Sequence, residues 1–363
     1  MKILVLTLLL TSQLTLAQTN RQPLPVGATP TEKLTVTVHP GVELLSIVQY
    51  LAGKQGPQPS PYLNAVRQQF TPYRNHPAVL FLFNSDARLG FDLPELGWCY
   101  DTPMNPSTFT IPDSTYWLKS FSKQQLTDYL TLCADFARKS KFSDFYRQHQ
   151  SDYDRWGQAY RQQVDSLQLV QALESFYRQP TTSRWYICLD PMNAYGAHAI
   201  MTKTLAPTYS QYIVYQQGYW NRDASPTKDL TFDADIYDLV WHEGSHSYIN
   251  NLLSQYRQQI DSLKHLMPKQ EADVLARQNI TDWPHFVDES IVRAISVALT
   301  REHLGAEMAK KRLVSEEKSG FVYTDSLATL LLTDYLHTQQ YPTFAAYFPV
   351  LLRKWASLKP AER

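Results

Sequence analysis

The sequence predicts an α+β fold, helix-rich, with a small mixed sheet placed before a helix that carries an H-E-x-x-H motif. Three observations support this. Residues 121–180 and much of the chain beyond residue 236 repeat apolar side chains at three and four spacing, the period of a helix with one buried face. Ser183–Asp190, Ala197–Thr202 and Gln211–Gln216 read as three strands between those tracts, with Pro191 and Gly196 punctuating the first turn. Directly after them, Trp241-His242-Glu243-Gly244-Ser245-His246-Ser247 contains the motif.

From the start of the chain, Met1 to Ala17 combines Lys2, an apolar run from Ile3 to Leu10 and a small residue at Ala17, the pattern of a secretory signal peptide. The run is too short to span a bilayer, and no cysteine follows Ala17 to accept a lipid, so a secreted or periplasmic protein is expected. With 34 basic and 34 acidic residues, charge gives no reason to expect nucleic acid or an anionic membrane as partner. Cys99, Cys133 and Cys188 can form at most one bridge, so no disulfide framework holds the fold. Cys188 sits in the apolar run Trp185–Leu189 and reads as an inert core residue, which argues against a cysteine nucleophile.

Residues 18–31 lack periodicity and read as an extended leader. Leu34–Val38 alternates as a strand, and Val42–Leu51 has helical spacing that ends at Gly53. Tyr62–Phe70 resumes an amphipathic helix after the turn-rich Gly56–Pro61. Val79–Phe83 fits either a short strand or a buried helical turn, and Gly97–Pro112 reads as a loop near a cleft mouth. Ser122 with Gln125 forms a capping-box signature, opening helices whose aromatic stripe runs through Tyr129, Phe136, Phe145, Tyr153, Trp156 and Tyr160. A stripe at helical spacing is read as core, with His149 as an exception that could face a ligand. Asn193–Ala197 is the expected edge of the sheet.

The motif helix itself is supported by Ile236, Leu239 and Val240, with Asp233 as a candidate cap. Residues four apart share a helix face, so His242 and His246 can present two imidazole nitrogens to one zinc ion. Glu243 then points beside the metal and suits a general base. Gly244, without a side chain next to the first histidine, implies close approach by another backbone or a ligand. Zinc needs a third protein ligand, and Trp283–Ile295 offers it on a helix opened by Pro284. The assignment is Glu289. His285, four residues earlier, is the alternative ligand or a group that touches substrate, and Asp288 is a second alternative. An ordinary surface pair of Glu289 with Arg293 is the competing explanation for that glutamate. Beyond it, Asn250–Leu275 and Arg301–Glu317 read as polar helices, and Ser326–Leu336 and Phe344–Trp355 as apolar ones.

H-E-x-x-H followed by a glutamate on a later helix resembles the gluzincin group of zinc metallopeptidases, of which thermolysin is a member. More closely, Val42–Val48 with Leu51-Ala52-Gly53, His76-Pro77-Ala78-Val79, the motif and Glu289–Ala294 are similar to a bacterial secreted family of unknown function. Glu289 lies farther beyond His246 than in thermolysin-like enzymes, and Arg293 stands where those place an acidic residue. The resemblance implies a zincin-like fold. The chain is expected to divide into a signal peptide (1–17), an N-terminal α/β portion (18–115) and a zincin-like catalytic domain (116–363).

The expected activity is hydrolysis of a peptide or protein substrate. His242, His246 and Glu289 hold zinc, Glu243 is the base, and His285, Tyr248, Tyr219 or Tyr323 is the donor to the oxyanion. Two other classes compete: a secreted protein that binds a peptide or glycan on the same scaffold without catalysis, and a zinc hydrolase of a non-peptide amide or ester.

Overall fold

The computed structural model describes residues 34–85, 93–112, 116–179, 184–193, 197–201, 212–218, 224–232 and 236–360. The expected signal peptide, the Asp233 cap and residues 194–196 of the expected edge lie outside these. The described chain is mostly helical, with one four-stranded sheet, so the fold is α+β.

The sheet runs in the order β1 (Leu34–Val38), β2 (Arg184–Asp190), β4 (Tyr212–Gly218), β3 (Ala197–Met201). β1 and β4 both lie parallel to β2, and β3 is antiparallel to β4, which makes the sheet mixed. β1 pairs along its whole length, from Leu34 opposite Trp185 to Val38 opposite Leu189. A strand from the N-terminal portion is therefore built into the sheet that precedes the motif. The apolar core is correspondingly continuous from Leu34 to Trp355.

Three helices near the start share one device. α1 (Pro40–Leu51), α2 (Pro61–Phe70) and α3 (Pro77–Phe83) each open on a proline, whose missing N–H costs nothing in the first turn. Each is capped by the preceding side chain: His39 Nδ1 accepts from the Val42 N–H, Ser60 Oγ from Leu63 and His76 Nδ1 from Ala78. The cap and proline settle Val79–Phe83 as helix. The expected loop at Gly97–Pro112 begins inside a buried 3₁₀ segment, Leu93–Cys99, packed on α1 instead of lining an opening. There the backbones of Gly41 and Gly97 touch, and a Cβ on Gly97 would lie 2.1 Å from the Gly41 carbonyl carbon.

α4 (Lys123–Lys139), α5 (Phe142–Gln148), α6 (Gln150–Ser166) and α7 (Leu169–Tyr177) follow, and both halves of the Ser122–Gln125 capping box are formed. Their aromatic stripe is buried, with Phe145 edge-on to Phe70 and Tyr153 and Trp156 against Tyr62. His149 joins it, 4.2 Å from the Phe145 ring.

Alternation along β2 sends Trp185 to one face of the sheet and Tyr186, Cys188 and Asp190 to the other. Trp185 meets the motif helix α8 (Ile236–Gln255), while Tyr186 packs on Trp98 and Asp190 accepts from Ser46 of α1. All three cysteines are free and buried, and burial first, then the Glu95 charge, pushes Cys99 up to about 12.

Beyond α8, the polar stretch to Leu275 is broken into α9 (Arg257–Ser262), a 3₁₀ turn and α10 (Ala272–Arg277). α11 (Trp283–His303) is the long partner of α8. The expected helix at Arg301–Glu317 is split by Gly305, whose φ of 96° is open to glycine and costly for other residues, so α12 starts at Ala306 and ends at Lys318. α13 (Thr324–Leu330), which runs into a π-helical turn, and α14 (Phe344–Trp355) close the fold. Among the described residues no helix is long and apolar enough to cross a membrane.

Candidate metal centre

α8 is held in place by large side chains on both sides of the motif. Trp241 is fully buried and its Nε1 donates to the Leu169 carbonyl of α7 at 3.0 Å. A Cβ on Gly244 would meet Leu173 Cδ2 at 2.6 Å and Trp185 Cη2 at 2.9 Å. The missing side chain at Gly244 thus lets two core side chains, not a backbone or a ligand, approach the helix. α8 lies along α11, which is capped by Asp282 accepting from the His285 N–H at 3.0 Å.

That packing brings Glu289 to the two histidines. His242 Nε2 is 3.6 Å from Glu289 Oε2 and His246 Nε2 is 3.6 Å from Glu289 Oε1. These three residues form the one group of described side chains whose donor atoms all lie within 4.8 Å of one another in a metal-ligating arrangement. Zinc with bonds near 2.1 Å in a tetrahedral shell sets its ligand atoms about 3.4 Å apart. The donor set has the chemistry of a zinc site, with its atoms set somewhat wider than that shell.

The surroundings act differently on the two histidines. Asp288 Oδ1 lies 3.1 Å from His246 Nδ1, which orients the ring and leaves Nε2 for the centre. Asp288 thus stands behind His246 and outside the group of three donors. Burial lowers His246, but the Asp288 bond and the charges of Asp288, Glu243 and Glu289 outweigh it and hold the imidazole at about 9. Burial, then the charges of Arg293, His246 and Arg312, hold His242 well below the usual histidine range, so it is a neutral donor.

Glu289 does pair with Arg293, at 3.1 Å from Nε and 3.0 Å from Nη2, while still facing the imidazoles. Arg293 Nη1 donates to Glu316 at 2.7 Å, Glu316 also pairs with Arg312, and Arg312 Nη1 reaches Asp238 at 2.8 Å. Ser296 Oγ donates to the same aspartate at 2.8 Å. Three carboxylates, Asp238, Glu289 and Glu316, thus face two guanidinium groups, and the His246–Asp288 pair adds a further charged contact beside them. Asp238 stands one turn before His242 on α8, a position its sequence spacing could have signalled. Arg312 and Glu316, far away in sequence, carried no such signal.

Glu243 is mostly buried. Burial raises its carboxyl to about 7, Glu289 adds to the rise, and His246, His198 and Arg293 oppose it. A cation beside it would pull it down again. His198, on β3, lies close enough to be felt by Glu243, and its Nε2 is 3.1 Å from Glu95 Oε2. Sequence reading passed over both.

The remaining expected site residues are not gathered at the triad. His285 lines a groove with Asn250, Ser254, Arg257 and Asp288, the last of which touches His246. Tyr248 lies flat on Tyr177, with ring centroids 4.0 Å apart, and the Tyr323 hydroxyl donates to the Leu266 carbonyl at 3.1 Å. Tyr219 lies outside the described residues.

Residues 118–354 match a family model described as a domain of unknown function, DUF4932. The chain belongs to the DUF4932 family. Comparison with curated proteins and with solved structures found no match for either. The DUF4932 match contains the whole centre, from Asp238 through Glu316, and the strands β2 to β4. It begins after β1 and α1, so β1 pairs with β2 from outside the matched residues.

Proposed function

We propose that this protein is a secreted, zinc-dependent metallopeptidase with a zincin-like architecture. The observation that carries the reading is the convergence of His242, His246 and Glu289 with Glu243 next to the first ligand on the same helix. Zinc bound there supplies Lewis-acid polarisation of the substrate carbonyl and of the attacking water.

The chain's own groups do the rest. His242 enters as a neutral imidazole, and Asp288 turns His246 so that Nε2 faces the centre. Arg293 holds the Glu289 carboxylate in place through two bonds to Oε2. Glu243 accepts the proton of the attacking water on its carboxylate and returns it to the leaving nitrogen as the C–N bond breaks.

The test is digestion of a peptide library by the purified protein. Cleavage that stops on chelation and returns with zinc is expected. No cleavage across varied sequences would remove the peptidase reading and favour the binding protein or the non-peptide hydrolase.

A second measurement concerns the ligand set. Glu289→Ala is expected to weaken zinc binding about 10- to 100-fold or more in a competitive chelator titration, because it removes a ligand. His285→Ala is expected to leave zinc affinity within a few-fold of wild type and to act, if at all, on turnover. The reverse ranking would move the third ligand to His285.

A further inference from the structure

The guanidinium of Arg293 sits in a socket that α12 completes. Its Nε and Nη2 donate to Glu289 Oε2 at 3.1 and 3.0 Å, and Nη1 donates to Glu316 Oε2 at 2.7 Å. The Phe321 ring lies against the flat face of the guanidinium, with Cζ 4.1 Å from the ring centroid. Phe321 stacks in turn on Phe286 of α11, with centroids 5.7 Å apart and planes 4° from parallel. Glu316 also pairs with Arg312, whose Nη1 is 2.8 Å from Asp238 Oδ2 of α8. α12 is thus tied to both helices that carry the triad, to α11 through Arg293 and to α8 through Asp238.

A single turn builds this socket. α12 ends at Lys318, and beyond it Gly320 takes a φ of 93°, which a residue with a side chain would adopt only under strain. That conformation lets the Phe321 N–H reach back to the Glu316 carbonyl at 3.1 Å and the Gly320 N–H to the Glu317 carbonyl at 3.0 Å, the bond pattern of a glycine-closed helix end. Glu316 and Phe321 are therefore fixed relative to each other. One offers a carboxylate to the edge of Arg293, and the other offers a ring to its face.

Apolar burial does not account for the place of α12. Among its residues only Ala309 and Glu316 are buried. Burying a carboxylate is costly even when cations meet it, so such pairs add little net stability over an apolar contact of the same shape. What the arrangement does supply is geometry. A guanidinium bonded along its edges and stacked on its face has one orientation, and Glu289 Oε2 is held by it. The same oxygen is the one 3.6 Å from His242 Nε2.

We propose that Glu316 and Phe321 are positioning residues for the metal centre: the C-terminal turn of α12 fixes Arg293, and Arg293 fixes the Glu289 carboxylate against the two histidines. Metal affinity is then set in part by a turn that contributes no donor of its own, and displacing that turn frees the carboxylate to rotate. The inference rests on the reading of His242, His246 and Glu289 as zinc ligands.

The experiment is a competitive titration with zinc and a chromophoric chelator on the full-length wild type, Glu289→Ala, Glu316→Gln and the double variant. Glutamine keeps the shape of Glu316 and an oxygen for Arg293, but not the charge. Glu316→Gln is expected to weaken zinc binding about tenfold or more, the size of effect seen when a partner behind a ligand is removed. In the Glu289→Ala background the same change is expected to alter zinc affinity by no more than about twofold, because nothing is left for Arg293 to position. Phe321→Leu changes no charge and supplies a reading that does not require Glu316→Gln to fold. It is expected to weaken zinc binding by a smaller factor, again only when Glu289 is present. Unchanged zinc affinity in either variant, or a loss that is equal with and without Glu289, would overturn the proposal, since the turn would then act on folding alone or as a distant charge. Wild type that binds no zinc, or Glu289→Ala that binds it as wild type does, would overturn the reading of the ligands, and this proposal with it.

Discussion

Glu243→Gln is expected to keep the fold and the zinc content of the wild type while lowering turnover by about 10²- to 10⁴-fold. The reason lies in the placement of this side chain. It is adjacent to His242 yet lies outside the group of three donors, and it is mostly buried where desolvation and Glu289 already raise its proton affinity. Glutamine preserves volume and part of the hydrogen bonding but cannot take a proton from water. Digestion of the same peptide library at matched zinc content, with a chelator control, reads the effect. Equal cleavage by the two proteins would remove Glu243 from the chemistry and the peptidase reading with it.

Full-length protein purified after expression with zinc is expected to hold one zinc per chain, and His242→Ala to lose tight binding. At a free zinc concentration 1,000 times Kd, binding to the folded state alone adds about 4 kcal/mol to stability. Chelation should accordingly lower the thermal midpoint of the wild type and leave that of His242→Ala unchanged. Elemental analysis showing a stoichiometry near zero would defeat the zinc assignment, and with it the role given to Glu289.

Arg293 governs how the triad is held. The arginine cannot support a histidine ligand as a carboxylate would. It supports the glutamate instead, while Asp288 takes the histidine. His242 Nδ1, in turn, is buried and has no hydrogen-bond partner. The two histidines are thus held differently, one by a carboxylate and one by packing and the helix itself.

What the sequence determined by itself is what depends on neighbours within a turn or two. The spacing of His242 and His246 places them on one helix face, the Ser122–Gln125 capping box starts a helix, and alternation in Leu34–Val38 and the apolar run in Ser183–Asp190 mark strands. These are consequences of helix and strand periods, which any local window displays. Residues such as Gly305 and Pro77 still misled or left open the local reading, because a backbone angle or a missing N–H decides between states of similar apolar content.

Only the tertiary structure decided the rest. The packing of α8 on α11 brings Glu289, and not His285, to the imidazoles, although both lie on one helix four residues apart. The parallel pairing of β1 with β2 builds residues 34–38 into a sheet whose other strands begin at residue 184. The ion chain from Asp238 to Glu289 joins three helices, and the Ser46–Asp190 hydrogen bond joins α1 to β2 across the core. Such contacts leave no fixed spacing in the chain, because they depend on which faces pack together and on the cost of burying charge without a partner.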